Sequence, residues 1–403
     1  MTTKASLEHN VTNSTSHTLI ITGTVLLASA PLLLYHYAPR IFLTYKSYQS
    51  RRRLRSLTQN ANPQQSNTTP QDPPTVSGIY IHPVKSLRPV SLTSTSFDKH
   101  GLKSDRRLMI VRPNPTPIYG SFIEGEATHR FVTQRQCSKL ATISVSPPIE
   151  LEHGKLMIKL SCELTEEHVY INVAPRSIRN LPVRYLAGVW SDTLRVADVG
   201  DEAAAFVAKV AMLEDASFAD VRVVAILEES ERRVEEIYCP EEARVGFGSL
   251  PQSGLTDGFP ILIATESSLA ELNKRLSEKN KNKIPMSRFR PNIVICNTEP
   301  FEEDTWKAIQ IGTGPNSTIL LIAKGCPRCK QSCTDQLTGE RSEEPLETLA
   351  EFRALGKNEE DVYFAQNAVL IGDGYRGVIS VGDEVRILTR GDPVWDLGSV
   401  AAE

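Results

Sequence analysis

The sequence predicts an α+β protein that is predominantly β, built from barrels or sandwiches with a few helices and preceded by one transmembrane helix. Three observations carry this. Residues Thr18 to Ala38 contain no Asp, Glu, Lys or Arg. Short β-patterned runs dominate from Gly78 onward. Helical patterns there are few and follow no strand–helix–strand rhythm of the kind a parallel sheet needs.

Taken in chain order, the first element is the apolar stretch 18–38. Its 21 residues at about 1.5 Å each would span roughly 30 Å, the thickness of a bilayer's hydrocarbon core. Only Lys4 precedes it, whereas six cations follow between Arg40 and Arg55. A cleaved signal peptide has a shorter apolar region with cations in front, so a retained anchor is expected. Cations stay on the cytosolic side, which places residues 1–17 across the membrane as a short non-cytosolic N-terminus and the body in the cytosol. Residues 39–77 combine the basic flank with a disordered linker, rich in Gln, Asn, Pro, Ser and Thr from Ser56 to Ser77. Charge divides at the same place. Before Asp72 the only acidic residue is Glu8, against seven cations, which leaves the rest of the chain at −9.

In the body, Ile79 and Ile81 alternate as in a half-buried strand, and so do Val169, Ile171 and Val173. Further strands are expected at 108–111, 293–295, 319–322, 369–371 and 385–388. One helix should start after Asp201 and run through the Ala-rich stretch to Met212. A second should follow Thr265 as N-cap, with Leu269, Leu272 and Leu276 on one stripe. A third should open at Pro345, a residue favoured at the first helical position. The whole-chain charge of −3 argues against a nucleic-acid binder. Seven cysteines, sparse and odd in number, argue against a disulfide scaffold and for a reducing compartment.

The densest chemical signal is Gly325-Cys326-Pro327-Arg328-Cys329, with Cys333 close behind. A zinc site would want a fourth ligand, and no second Cys-x-x-Cys or paired histidines occur nearby. A thioredoxin-like dithiol would want a βαβ context. There remains a reactive thiolate favoured by the neighbouring Arg328, a soft ligand suited to a redox-active transition metal. A second signal is basic: Lys85-Ser86, Asp105-Arg106-Arg107, and Arg288-Phe289-Arg290-Pro291-Asn292. Each alone reads as an exposed strand-end cation, but together they could cradle an anion. Asp257 could accept from the N–H groups of a heterocycle. There is no GxGxxG fingerprint or P-loop. Composition and spacing lead to an anion-plus-thiolate site and no further.

Ordered blocks take over from there: IYIHPVKSL at 79–87, DRRLMIV at 105–111, FVTQRQ at 131–136, VADVGDEAA at 196–204, DGFPILI at 257–263, FRPNIVI at 289–295, CPRC at 326–329, EPLETL at 344–349 and VGDEV at 381–385. In these the chain resembles MOSC-domain proteins that carry a matching N-terminal β-barrel domain, the family of the mitochondrial amidoxime-reducing component. The resemblance implies an N-terminal barrel domain over 78–200, a MOSC β-barrel domain over 201–389 and a C-terminal tail over 390–403. It implies a molybdenum cofactor, a pterin whose dithiolene binds Mo and whose phosphate is anionic. Cys329 matches the Mo-ligating thiolate, and Lys85, Ser86, Arg106, Asp257, Arg290, Asn292 and Arg328 match the positions that hold the cofactor.

The implied activity is reduction of N-oxygenated compounds: amidoximes, N-hydroxylated bases and, at the edge of that class, nitrite. Electrons would come from NADH through NADH-cytochrome b5 reductase and cytochrome b5. The implied membrane is first the mitochondrial outer membrane, with the endoplasmic reticulum as the alternative that the charge pattern also allows. A role as cofactor carrier or sulfur-transfer protein, with a persulfide on Cys329, is the alternative. Pyridoxal phosphate is associated with the wider family, but this chain has no aminotransferase-like segment. The chain departs from the family pattern at four places: Pro327 for Ser, Ser332-Cys333 for a Thr pair, Gly258 for Thr, and Ala365-Gln366-Asn367 for Gly-Gln-Tyr. These bear on substrate range rather than on cofactor binding.

Overall fold

The computed structural model describes Arg52 and residues 72–114, 127–247, 249–314, 317–358, 360–371 and 377–396. All of these but Arg52 belong to the unit that runs from Leu57 to Glu403. The membrane span expected at 18–38 lies outside them, as do residues 1–17 and most of the flank and linker expected at 39–77. No helix among the described residues is long and apolar enough to cross a membrane.

The unit is β-rich, as expected, and has two main strand assemblies. The larger is an eight-stranded sheet in the order Val90–Leu92, Thr75–Ile81, Ile293–Cys296, Ile261–Thr265, Tyr363–Leu370, Thr318–Pro327, Trp306–Ile311 and Val385–Arg390. Its far sides come back together. The Val76 N–H donates to the Asp383 carbonyl at 2.9 Å and the Gly382 N–H to the Val76 carbonyl at 2.7 Å. The sheet therefore curls toward a barrel.

The smaller assembly is a closed barrel of Leu108–Pro113, His129–Val132, Arg184–Val189, Asp192–Asp198 and Arg222–Ile226. Parallel pairing of Ala187 with His129 and of Gly188 with Arg130 closes it. Beside it lies a four-stranded sheet drawn from residues 144–172. The helix Asp201–Ala211 buries seven of its residues and packs against both the barrel strand 222–226 and the sheet strand 167–172. No single cut in the sequence separates these assemblies. The first strand of the body belongs to the large sheet, and the barrel takes one strand from beyond residue 200.

Local chemistry accounts for the elements. Ile261–Thr265 is buried at all five positions because it faces a core on each side. Ile261 and Ile263 join the main core, whereas Leu262 and Ala264 meet Leu272 and Leu276 of the helix Glu266–Glu278. Thr265 caps that helix as expected, its hydroxyl oxygen accepting the Ser268 N–H at 3.3 Å.

Three expectations need correcting. The segments Ile261–Thr265, Glu266–Glu278 and Ile293–Cys296 do form a strand–helix–strand unit with parallel strands. The polar connection from 279 to 292 hid that rhythm. Pro345 precedes its helix, Leu346–Ala350, as the capping residue rather than opening it. The strand expected at 369–371 begins earlier, at Tyr363.

Candidate functional site

A cleft of about 600 Å³ lies where the loops of the barrel meet the strand ends of the large sheet. All eight residues that the resemblance assigns to the cofactor and its metal line it: Lys85, Ser86, Arg106, Asp257, Arg290, Asn292, Arg328 and Cys329, whereas Arg107 and Cys333 do not. Nine Lys or Arg against three Asp or Glu make the lining strongly positive. A larger, more open groove of about 850 Å³ runs along the helix 266–278. It balances two Glu against two Lys and holds no cysteine, so it lacks this convergence.

The backbone is unusual at the cleft. Ser86, Arg106 and Arg290 have φ of 71°, 47° and 56°, a left-handed region that side chains other than Gly, Asn and Asp seldom enter. Such strain persists only where the surroundings impose it, and it clusters at functional sites. The surroundings here are hydrogen bonds. Arg106 Nη1 donates to Asp105 Oδ2 at 2.5 Å and to Asn292 Oδ1 at 3.2 Å. Arg290 Nη1 donates to the Leu87 carbonyl at 2.8 Å. Asn292 Nδ2 donates to the Tyr80 carbonyl at 3.1 Å, while its Oδ1 accepts the Leu262 N–H at 3.1 Å. Asn292 thus ties three strand ends together.

These contacts tune charge. Asp105 is fully enclosed, which alone would favour its neutral form, but Arg106 and His82 hold its carboxyl well below the ordinary range. Burial, helped by Arg290 and Arg106, brings His82 down to about 3, so it stays neutral. Burial and then the Arg106 charge push Arg290 down to about 9, still cationic at neutral pH. Burial lowers Lys85 to about 8, although Asp257 opposes the fall. Lys85 Nζ donates to Asp257 Oδ1 at 2.5 Å and to the Leu255 carbonyl at 3.0 Å. Surrounding protein disfavours the Asp257 charge, but Lys85 and Arg135 outweigh it and keep the carboxyl ionised, with half its side chain open to the cleft. Asp257, expected as an acceptor for a heterocycle, is thus first a partner of Lys85.

The three clustered cysteines differ. Arg135 Nε donates to Cys329 Sγ at 3.1 Å, whereas Arg328 Nη1 donates to Cys326 Sγ at 2.9 Å. The cation beside Cys329 is therefore Arg135 and not its sequence neighbour Arg328. In extended chain, residues two apart share a face and adjacent ones do not, so Arg328 falls beside Cys326. Cys333 is buried, its thiol donating to the Glu343 carbonyl at 3.5 Å, and burial pushes it upward. Among the described residues no three of His, Cys, Asp and Glu converge as a metal cage.

Sequence reasoning missed four residues of the cleft. Arg135 sits in a quoted block, but nothing in its pattern links it to a cysteine 194 positions away. Arg232 donates from Nε to Asp192 Oδ2 at 2.6 Å and from its two Nη atoms to the Thr256 and Asp257 carbonyls. It thereby staples the Asp257 turn to the barrel. Lys324 lines the wall and pairs with Asp396. Trp190 stands at the mouth, and no sequence signal marks it.

Two buried groups on this wall have hydrogen-bonding capacity to spare. Ser86 Oγ has no partner, and Arg288, which gives Nη2 to Asp335 at 3.2 Å, keeps Nε and Nη1 unpaired. Such groups are costly to bury unless something accepts from them. Of the departures from the family pattern, Gly258, Pro327, Ser332 and Asn367 all line the cleft, and Ala365 sits at φ 70°.

Comparison with known proteins adds the following. The MOSC N-terminal beta barrel domain matches residues 73–214, and the MOSC domain matches residues 251–386. Mitochondrial amidoxime reducing component 2 of Rattus norvegicus is 30% identical over 327 residues, which cover 80% of this chain and 82% of that protein. Its counterpart in Bos taurus is 29% identical over 328 residues, covering 80% and 83%. Molybdenum cofactor sulfurase of Aspergillus terreus is 34% identical over 144 residues, 33% of this chain and 17% of that longer protein.

Proposed function

This chain belongs to the MOSC-domain family of the mitochondrial amidoxime-reducing components, and we propose that it is a molybdenum-cofactor-dependent reductase of N-oxygenated compounds. The observation that carries the reading is the cleft itself. Two thiols, Cys329 with Arg135 as its guanidinium donor and Cys326 with Arg328, share about 600 Å³ with nine cations.

The residues present fit a phosphorylated pterin that ends in a metal. Buried Arg290 and Lys85 and half-buried Arg106 supply the positive field for a phosphate, and Ser86 Oγ and Arg288 have hydrogen bonds to give. Cys329 offers a soft ligand for a metal, and Arg135 would orient it through its hydrogen bond to the sulfur. When bound, the cofactor supplies the two-electron removal of oxygen from nitrogen. Together with two protons, those two electrons turn an N–OH group into N–H and water. The chain's part is to hold, orient and charge. Lys85 Nζ keeps a proton at neutral pH, and Asp257 Oδ1 fixes its direction.

On this reading the span 18–38 anchors the chain in the mitochondrial outer membrane with the cleft on the cytosolic side. NADH-cytochrome b5 reductase and cytochrome b5 supply the electrons, and the mitochondrial names of the relatives support the location.

The test is to purify the full chain from a host that makes the pterin, then to measure its molybdenum and its reduction of benzamidoxime. Wild type should carry the metal and turn over. Cys329→Ala should lose reduction with its fold intact, while Cys326→Ala keeps activity within about twofold, since its sulfur serves Arg328 rather than the metal. A wild-type protein without molybdenum but with sulfane sulfur on Cys329 would point to a sulfur carrier instead.

A further inference from the structure

Trp190 is the first of two residues turning the hairpin between Arg184–Val189 and Asp192–Asp198. Two-residue hairpin turns want a positive φ there, which is why glycine or asparagine usually occupies them. Trp190 takes φ 57° with a bulky ring instead. Folding gains little in return, for the side chain is 48% exposed and joins no core cluster. Strain and exposure together at the mouth of a charged cleft point to a use outside the fold.

The ring's surroundings say what that use is. The Arg135 guanidinium lies 4.6 Å from its centroid, and Phe131 packs against it at 5.4 Å with the rings tilted by 56°. Arg135 in turn reaches Cys329 Sγ at 3.1 Å. The ring is thus fixed from inside, one guanidinium away from the sulfur, with the rest of its surface open where a molecule would enter.

We propose that Trp190 is a substrate-contacting residue, the platform on which a flat, conjugated N-oxygenated substrate stacks on its way to Cys329. An amidoxime attached to an aromatic ring is such a molecule, whereas hydroxylamine offers nothing to stack. The proposal rests on the reductase reading given above.

The experiment compares benzamidoxime with hydroxylamine on the full-length, molybdenum-loaded protein and its Trp190 variants. Loss of one stacking partner should raise the benzamidoxime KM of Trp190→Ala about tenfold, with kcat within about twofold. Its hydroxylamine KM and its molybdenum content should stay at wild-type values. Trp190→Phe should restore most of the loss. Trp190→Gly, which relieves the turn, should behave like Trp190→Ala, which separates the ring from the backbone. Equal KM rises for both substrates, an unchanged benzamidoxime KM, or loss of molybdenum from Trp190→Ala would each overturn the proposal, the last by giving the ring to the cofactor. Should loaded wild type reduce neither compound, the reductase reading falls. Equilibrium dialysis of benzamidoxime against the oxidised protein then decides on Trp190: about tenfold weaker binding to Trp190→Ala sustains it, and equal binding or none sinks it.

Discussion

Deep in the cleft, Ser86, Arg290 and Asn292 are at most 7% exposed, and the guanidinium groups beside them are bonded to backbone carbonyls or to Asp105. At its mouth, Arg135 has 27% of its side chain open, Trp190 is 48% exposed, and both come from loops of the barrel. The deep residues are over-determined, and several hold strained backbone in place. The outer ones are held by a few contacts of intermediate strength. On the proposed reading, a site that grips a large anionic cofactor and still admits varied small molecules needs both kinds of wall. The contrast assigns gripping to the inside and selection to the outside.

Arg106→Ala tests the inside most severely. It leaves Asp105 buried without its cation, and breaking such a pair costs about 3–5 kcal/mol. Urea unfolding should show that loss, and molybdenum should be absent from what folds. A fall below about 1 kcal/mol would mean that the interior is less tightly coupled than its hydrogen bonds imply.

Arg135→Leu tests the outside. Its stability should stay near wild type, because the residue is part-exposed and lies in a loop. Partners that orient a metal ligand typically contribute 10–100-fold, so metal affinity or turnover should drop by about that factor. An equal loss of stability would erase the distinction between the two walls.

The mildest test is pH. A bound anion raises the proton affinity of Lys85, so the loaded protein holds more protons than the empty one above the empty protein's value of about 8. Anion affinity therefore falls as pH rises beyond that point, by at most about tenfold per unit. Molybdenum retained after dialysis at a series of pH values reads this out, and Lys85→Arg should flatten the profile.

Much of this is legible from sequence, and the failures have physical reasons. Apolar runs such as Leu108–Val111 and Ile293–Ile295 announce strands because both of their faces are buried. The cations of the cleft stand out because they sit in compact blocks beside those strands. Arg135, Arg232 and Trp190 do not, since their meaning lies in neighbours far away in the chain: Cys329, Asp192 and the cleft mouth. Arg328 is misassigned to Cys329 from sequence because adjacent residues in extended chain point to opposite faces. Positive φ, the mark shared by Ser86, Arg106, Trp190 and Arg290, has no signature in side chains that are not glycine.

The strand Thr75–Ile81 pairs on one edge with Val90–Leu92 and on the other with Ile293–Cys296, where Thr75 meets Cys296 across 221 positions of chain. Ribosomes add about 5–20 residues per second, so this strand waits roughly ten to forty seconds for its mate to be synthesised. Throughout that interval the strand has only Val90–Leu92 to pair with and its other edge stands open on a nascent polypeptide, and the sheet carrying the cleft cannot close before translation nears its end. Chaperone protection of that early segment, rather than the final stability of the protein, would then govern how much of it a cell obtains.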